Sequence, residues 1–155
     1  MSDTATEVYR AHREAQNRYV YFLLAATWAA IGFAVNQTMN KTLAWSQIPL
    51  AGAVFGWGLS FVFGIRHLQY VSSSLYANLE LLEVESGQHS QVGTHLGKIA
   101  AASEGIREAI ESNSNRANHL AHLQFTFLVA GAVLYVAWHV LEMYLRTVST
   151  RQLLP

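Results

Sequence analysis

Apolar and polar positions alternate along the chain in long blocks rather than in short strands. Three apolar blocks cover residues 19–35, 48–65 and 120–145. An α-helix rises 1.5 Å per residue, so about 20 apolar residues cross a hydrocarbon core of roughly 30 Å. The pattern therefore predicts three transmembrane helices, the first of them close to the minimum length.

The polar segments before and between the first two blocks predict a helix and a short connection. Residues 1–18 carry Arg10, Glu14 and Arg18 at four-residue spacing, which favours an N-terminal helix that leads directly into the first block. Residues 36–47 are polar and short enough to join two antiparallel membrane helices. The first two blocks are thus predicted to form a transmembrane helical hairpin over residues 19–65.

The segment between the second and third blocks, residues 66–119, predicts a helical hairpin outside the membrane, which we call the stalk. Gly87 and Gly93 mark a turn region in its middle. The outgoing helix continues an apolar three-four spacing from Leu68, and the return helix has heptad spacing. The positions of the return helix at this heptad spacing are Leu96, Ile99, Ser103, Ile106, Ile110, Asn113, Ala117 and Leu120.

These patterns predict an all-α integral membrane protein with three transmembrane helices, in which helices 2 and 3 extend into a cytoplasmic antiparallel helical hairpin. Seven Lys and Arg flank the spans on the side of the N-terminus and stalk, and three lie on the other side. The positive-inside rule therefore predicts that the N-terminus and stalk lie in the cytoplasm. It places the short tail, residues 146–155, on the outer side of the cell (inner) membrane.

Composition supports a lipid environment and excludes several functions. Hydrophobic residues make up 52% of the chain and charged residues only 13%, so the apolar surplus must face lipid. Ten basic side chains balance ten acidic ones, and no basic field is present to attract nucleic acid. The sequence has no cysteine, which excludes disulfides, thiolate metal sites and thiol nucleophiles.

Small residues at four-residue spacing mark the second block as a helix-packing surface. Its glycine stripe consists of Gly52, Gly56, Ser60 and Gly64. Another helix can approach such a face closely, and we expect the alanine face of the first helix to be its partner within the chain. The alanine face consists of Ala26, Ala30 and Ala34. Three thin helices leave further small-residue surface uncovered, so we also expect a symmetric homo-oligomer.

Two patterns that contain histidine indicate candidate chemistry. Arg116, Asn118 and His122 resemble the nuclease motif of HEPN domains, but Ala117 stands where that family places a polar residue. His67, His119 and His122 fall near the cytoplasmic boundary, where imidazoles can ligate a b-type haem. No catalytic signature is present, and we expect no enzyme activity, no cofactor and no metal, with the b-type haem subunit kept as an alternative function.

In helix order the chain is similar to small membrane proteins of bacterial antiviral systems, in which membrane helices carry a helical cytoplasmic sensor. That resemblance implies a non-enzymatic, channel-like or membrane-perturbing effector, gated through the stalk by a soluble protein or a small signalling ligand. The residues expected to line or gate its path are Ser60, His122, Gln124 and Thr126. The alternative is a membrane anchor or scaffold that docks a soluble partner on stalk residues Ile99, Ile106 and Ile110.

Overall fold

The structure of the protein, a computed structural model, describes residues 3–39 and 44–151. Every regular element in these ranges is a helix, as the all-α prediction requires. In chain order the elements are α1 (Asp3–Thr38), a short 3₁₀ helix (Trp45–Gln47), α2 (Ile48–Glu85) and α3 (Leu96–Arg151). Parts of the predicted connection and tail fall on residues 40–43 and 152–155, outside the described residues.

Three helical segments are long and apolar enough to cross a membrane, which confirms the predicted number of spans. They lie within Arg18–Thr38, Trp45–Glu85 and Leu96–Val148. Helix α1 runs without a break from its polar N-terminal part into the first apolar block. The predicted pairing of Glu14 with Arg18 is present, with 2.6 Å between carboxylate and guanidinium.

The turn between α2 and α3 is built around two glycines with positive φ. Helix α2 ends at Glu85, and Gly87 follows with φ +70, where its N–H donates to the carbonyl oxygen of Val84 at 3.1 Å. Gly93 has φ +58. A side chain is disfavoured in this left-handed region, so the predicted stop at Gly87 has a direct backbone cause.

The chain forms two compact units. The first comprises Met1–Gly64 and Gln124–Pro155, and the second comprises Ile65–Leu123. All three long helices contribute to the first unit, whereas the second contains only parts of α2 and α3 with the turn between them.

The core of the first unit is a cluster of buried apolar side chains from all three helices. Partly buried side chains such as Ile31, Leu128 and Tyr135 pack against this cluster. The buried members are Ala34, Leu50, Ala53, Trp57 and Trp138. The cluster fixes the position of α2 beside α3 in this unit.

The second unit has a thinner core. Val84, Ser103 and Ala117 are its buried residues among those described, and two of the three are small or polar. Across the unit, His67 contacts the carbonyl oxygen of Ala117, and Glu85 pairs with Arg107. Residue numbers in these two contacts rise on α2 as they fall on α3.

Candidate functional site

The most specific contacts of the first unit join α2 to α3. Trp57 donates from its indole Nε1 to the backbone oxygen of Leu128 at 3.2 Å. Ser60 donates from its hydroxyl to the backbone oxygen of Gln124 at 2.7 Å. Inside an apolar environment a polar side chain must find a partner, and here both donors on α2 find backbone acceptors on α3.

The glycine stripe packs mainly against α3, which corrects the prediction that the alanine face of α1 is its partner. A Cβ placed on Gly56 would lie 3.5 Å from the carbonyl oxygen of Phe127 and 3.7 Å from the Cα of Gly131. A Cβ on Gly52 would lie 3.3 Å from Cδ1 of Leu134. The sequence showed that α2 offers a close-packing face, but two other helices were available to cover it.

Helix α1 contacts the glycine stripe at its last position, Gly64. A Cβ on Gly64 would lie 2.8 Å from Cδ2 of Leu24 and 2.7 Å from Nε2 of Gln124. Within the alanine face, Ala34 is buried in the core cluster, whereas Ala26 and Ala30 are half-buried. The alanine face therefore does contribute to packing, chiefly through Ala34 and beside the stripe.

Among the described glycines, Gly131 on α3 has the tightest contact with another helix. A Cβ on Gly131 would lie 2.5 Å from Nε1 and 2.6 Å from Cδ1 of Trp57, and 3.0 Å from the carbonyl oxygen of Ala53. Trp57 therefore lies in a notch that only glycine leaves open. In the sequence, Gly131 lies between Ala130 and Ala132, small residues that predict close packing of the third helix but do not identify Trp57 as the partner.

The four residues predicted to line a path lie in two different environments. Ser60 and Gln124 are buried, at 0% and 1% exposure, where Ser60 serves the contact between α2 and α3. His122 and Thr126 are exposed on α3. The structure thus joins Ser60 with Gln124 inside the chain and leaves the other two on the surface.

Gln124 is unusual because its amide nitrogen Nε2 is buried without a hydrogen-bond partner among the described residues. The side chain instead packs against Gly64. A buried unsatisfied amide is destabilising, more so where no water reaches it. The amide nitrogen of Gln124 is therefore a buried polar group that the described residues of this contact do not satisfy.

Helix α3 presents a second regular surface on the side away from α2. Positions 124, 128, 131, 135 and 138 face the rest of the unit and are buried or half-buried. The opposite surface has the same alternating three-four spacing and is occupied by valines, which we call the valine stripe. It consists of Val129, Val133, Val136 and Val140, at 45%, 61%, 59% and 60% exposure.

The exposed apolar surface of the second unit differs from the predicted docking surface. The predicted residues Ile99, Ile106 and Ile110 are only half-buried rather than exposed. The most exposed large apolar side chains of this unit are Tyr76, Leu79 and Leu82 on α2, at 72%, 59% and 63% exposure, and Leu96 at the start of α3, at 83%. Leu79 and Leu82 belong to the apolar three-four spacing that begins at Leu68.

The three boundary histidines differ in their surroundings. The Nδ1 atom of His67 donates to the backbone oxygen of Ala117 at 2.8 Å. His119 and His122 are exposed. Within residues 3–39 and 44–151, no group of three or more His, Cys, Asp or Glu side chains is placed to hold a metal ion.

Comparisons with protein families, with characterised proteins and with solved structures return no match to this chain.

Proposed function

We propose that the protein is a non-enzymatic, homo-oligomeric membrane protein of channel-like function, in which α3 lines a path between subunits. The N-terminus and the stalk lie in the cytoplasm in this proposal, as the distribution of Lys and Arg requires. The observation that carries the proposal is the valine stripe, a regular surface on the side of α3 that its own chain does not cover.

The chemistry of this surface favours a subunit neighbour over lipid alone. β-Branched side chains at three-four spacing have few rotamers, so they pack with little loss of entropy against a second helix of the same kind. Thr126 continues the stripe at the same spacing toward the stalk, and His122 lies four residues before it. Polar side chains in membrane helices usually face other helices or a water-filled path.

The same residues account for a closed and an open state. A ring of valines would form an apolar constriction, which excludes water and therefore ions when it is narrow. Ser60 and Gln124 would hold α2 on α3 behind this ring rather than line it. Because α2 and α3 each extend into the stalk, a ligand or protein bound there could displace both helices.

Ion flux through vesicles containing the purified protein tests the proposal. Val133→Ser replaces an apolar side chain of the constriction with a polar one and should make the vesicles leaky without any stimulus. Val62→Ser is the matched control, since Val62 is 50% exposed on α2 and lies outside the stripe. Vesicles with Val133→Ser that stay as tight as those with Val62→Ser would refute the role of the valine stripe.

Cross-linking tests the oligomer separately. The natural chain has no cysteine, so single substitutions give unambiguous results. Val133→Cys should form disulfide-linked dimers on mild oxidation in membranes, and Val62→Cys should not. Equal cross-linking of both variants would indicate random collision and contradict an interface at α3.

A second function is favoured by the exposed apolar side chains of the second unit. Tyr76, Leu79 and Leu82 would suit a scaffold that docks a soluble partner on α2. A stoichiometric partner that co-purifies with the natural chain, and is lost with Leu79→Asp, would support this function. If the natural chain purifies alone, the scaffold hypothesis fails.

A role in bacterial antiviral defence is supported by the resemblance in helix order.

A further inference from the structure

A basic cleft lies between α2 and α3 within the second unit. Its volume is about 550 Å³, within the range of small-ligand sites. Two arginines, a histidine, an asparagine and a tyrosine supply its polar groups, and none of the described acidic residues lines it. The lining residues are Arg66, Tyr70, Asn115, Arg116, His119 and Leu120.

The two arginines are available to a ligand. Neither Arg66 nor Arg116 forms a salt bridge with a described residue, and both side chains are exposed. The guanidinium of Arg116 lies 5.9 Å from the centroid of the Tyr70 ring, which orients its planar fork without neutralising its charge. The cleft thus presents fixed positive charge with no acidic side chain to compete for it.

Acidic side chains are also absent from the neighbouring sequence. No Asp or Glu occurs in α2 before Glu80, and none occurs in α3 between Glu111 and Glu142. Most other exposed basic residues described have an acid nearby, as Arg107 has Glu85. The uncompensated charge at the cleft is therefore local, although the whole chain is neutral.

The position of the cleft along the chain indicates where its ligand comes from. Arg66 directly follows the second apolar block, and Leu120 begins the third. Side chains at the ends of membrane helices lie at the level of the phospholipid headgroups, where basic clefts between helices bind anionic lipids. Leu120 adds an apolar contact suited to the glycerol and upper acyl chain.

We propose that this cleft binds the phosphate-bearing headgroup of an anionic phospholipid. Arg66 and Arg116 would bind phosphate oxygens, for which the guanidinium fork is suited, and Asn115 and His119 would donate further hydrogen bonds. This site requires the chain to lie in a bilayer, and it does not depend on whether the protein conducts ions.

Native mass spectrometry tests the site by counting lipids bound to the detergent-solubilised full chain during titration with phosphatidylglycerol or phosphatidylcholine. The natural chain should prefer phosphatidylglycerol. Arg66→Gln and Arg116→Gln should each weaken that binding by about fivefold, the usual contribution of one basic side chain near a membrane surface. Lys98→Gln is the control, because it removes the same charge from α3 away from the cleft.

Arg116→Lys separates geometry from charge, since lysine retains the positive charge but lacks the planar fork. It should bind the anionic lipid less well than the natural chain and better than Arg116→Gln. The double variant Arg66→Gln with Arg116→Gln must lose the preference for phosphatidylglycerol. If the double variant retains that preference while Lys98→Gln behaves like the natural chain, the site is wrong.

Inorganic phosphate distinguishes a lipid from a soluble source of the same chemistry. Added in excess, it should displace little phosphatidylglycerol, because it lacks the apolar part that contacts Leu120. Phosphate that displaces the lipid fully at equal concentration would overturn the assignment to a lipid. Thermal unfolding of each variant shows whether it is folded, which is expected because both arginines are exposed.

Discussion

The indole of Trp57 on α2 lies directly against the backbone of Gly131 on α3. A Cβ at residue 131 would be 2.5 Å from the indole nitrogen, much closer than packed carbon and nitrogen atoms approach. The same nitrogen donates to the backbone oxygen of Leu128 at 3.2 Å, so the ring cannot move away without loss of that hydrogen bond. One small residue thus sets how near the two helices lie.

Gly131→Ala should destabilise the first unit, because the added methyl group displaces a buried tryptophan. We expect the free energy of unfolding to fall by about 1–3 kcal/mol, the usual cost of overpacking. Unfolding in mixed micelles with increasing SDS, followed by tryptophan fluorescence and circular dichroism, measures this change.

Gly58→Ala is the control for Gly131→Ala, since no atom lies within 4 Å of a Cβ at that position of α2. It introduces the same methyl group without a clash and should leave stability unchanged or slightly raised. Equal destabilisation by both substitutions would mean that helix flexibility, not the notch under Trp57, sets the effect.

The glycine stripe should tolerate alanine at Gly56 but not leucine. A Cβ there would make ordinary contacts at 3.5 and 3.7 Å, so Gly56→Ala should change stability by less than about 1 kcal/mol. Gly56→Leu has no space beyond the Cβ and should cost about 3 kcal/mol or more. Size-exclusion chromatography and SDS unfolding compare the two variants. A Gly56→Leu protein with unchanged oligomer size and unchanged stability would show that the stripe is not needed for close helix packing.

The hydroxyl of Ser60 should contribute measurably to the contact between α2 and α3. Ser60→Ala removes its hydrogen bond to the backbone of Gln124 and should lower stability by about 0.6–1.7 kcal/mol, as for hydrogen bonds between membrane helices. Thr27→Val is the contrast, because the Thr27 hydroxyl bonds only to Leu23 of its own helix. A larger loss from Thr27→Val than from Ser60→Ala in SDS unfolding would contradict this ranking.

The ion pair between Arg107 and Glu85 should stabilise the second unit only weakly. The atoms are 2.7 Å apart, but the side chains are 67% and 39% exposed, so water and salt screen the attraction. Arg107→Gln should lower the free energy of unfolding by less than about 1 kcal/mol. Hydrogen exchange of the 65–123 unit at low and high salt checks this, with Lys98→Gln as the control. An effect that survives high salt would show that Arg107 acts through packing instead.

The helices were predictable because their signals are local. Three apolar blocks, the glycine at residue 87 and the short polar connection each act within a few turns of helix, and the structure has helices and a turn at the expected places. Close packing on the glycine stripe was also predictable, since absent side chains are visible in the sequence. The partner of the stripe was not, because both α1 and α3 carry small residues.

The pattern of residues along the sequence did not indicate the tertiary hydrogen bonds between side chains and backbone. Trp57 and Ser60 donate to carbonyl oxygens, which every residue has, so nothing in the α3 sequence marks residues 124 and 128 as acceptors. Ser60 and Gln124 therefore seemed free to line a path, when the former is engaged and both are buried. Similarly, the exposure of Leu79 and Leu82 depends on how the two stalk helices rotate, which spacing alone does not determine.

The two hydrogen bonds to backbone oxygens do not by themselves specify the register of α3. The two acceptors, residues 124 and 128, are one helical turn apart, and each turn of α3 offers equivalent oxygens. Sliding α3 by one turn, about 5.4 Å, would therefore give Trp57 and Ser60 new acceptors of the same kind. The notch at Gly131 would be lost, since residues 120–145 contain no second glycine, and so would the ring contact of Trp57 with Tyr135. Gly131 therefore makes the observed register of the two helices more stable than the neighbouring ones.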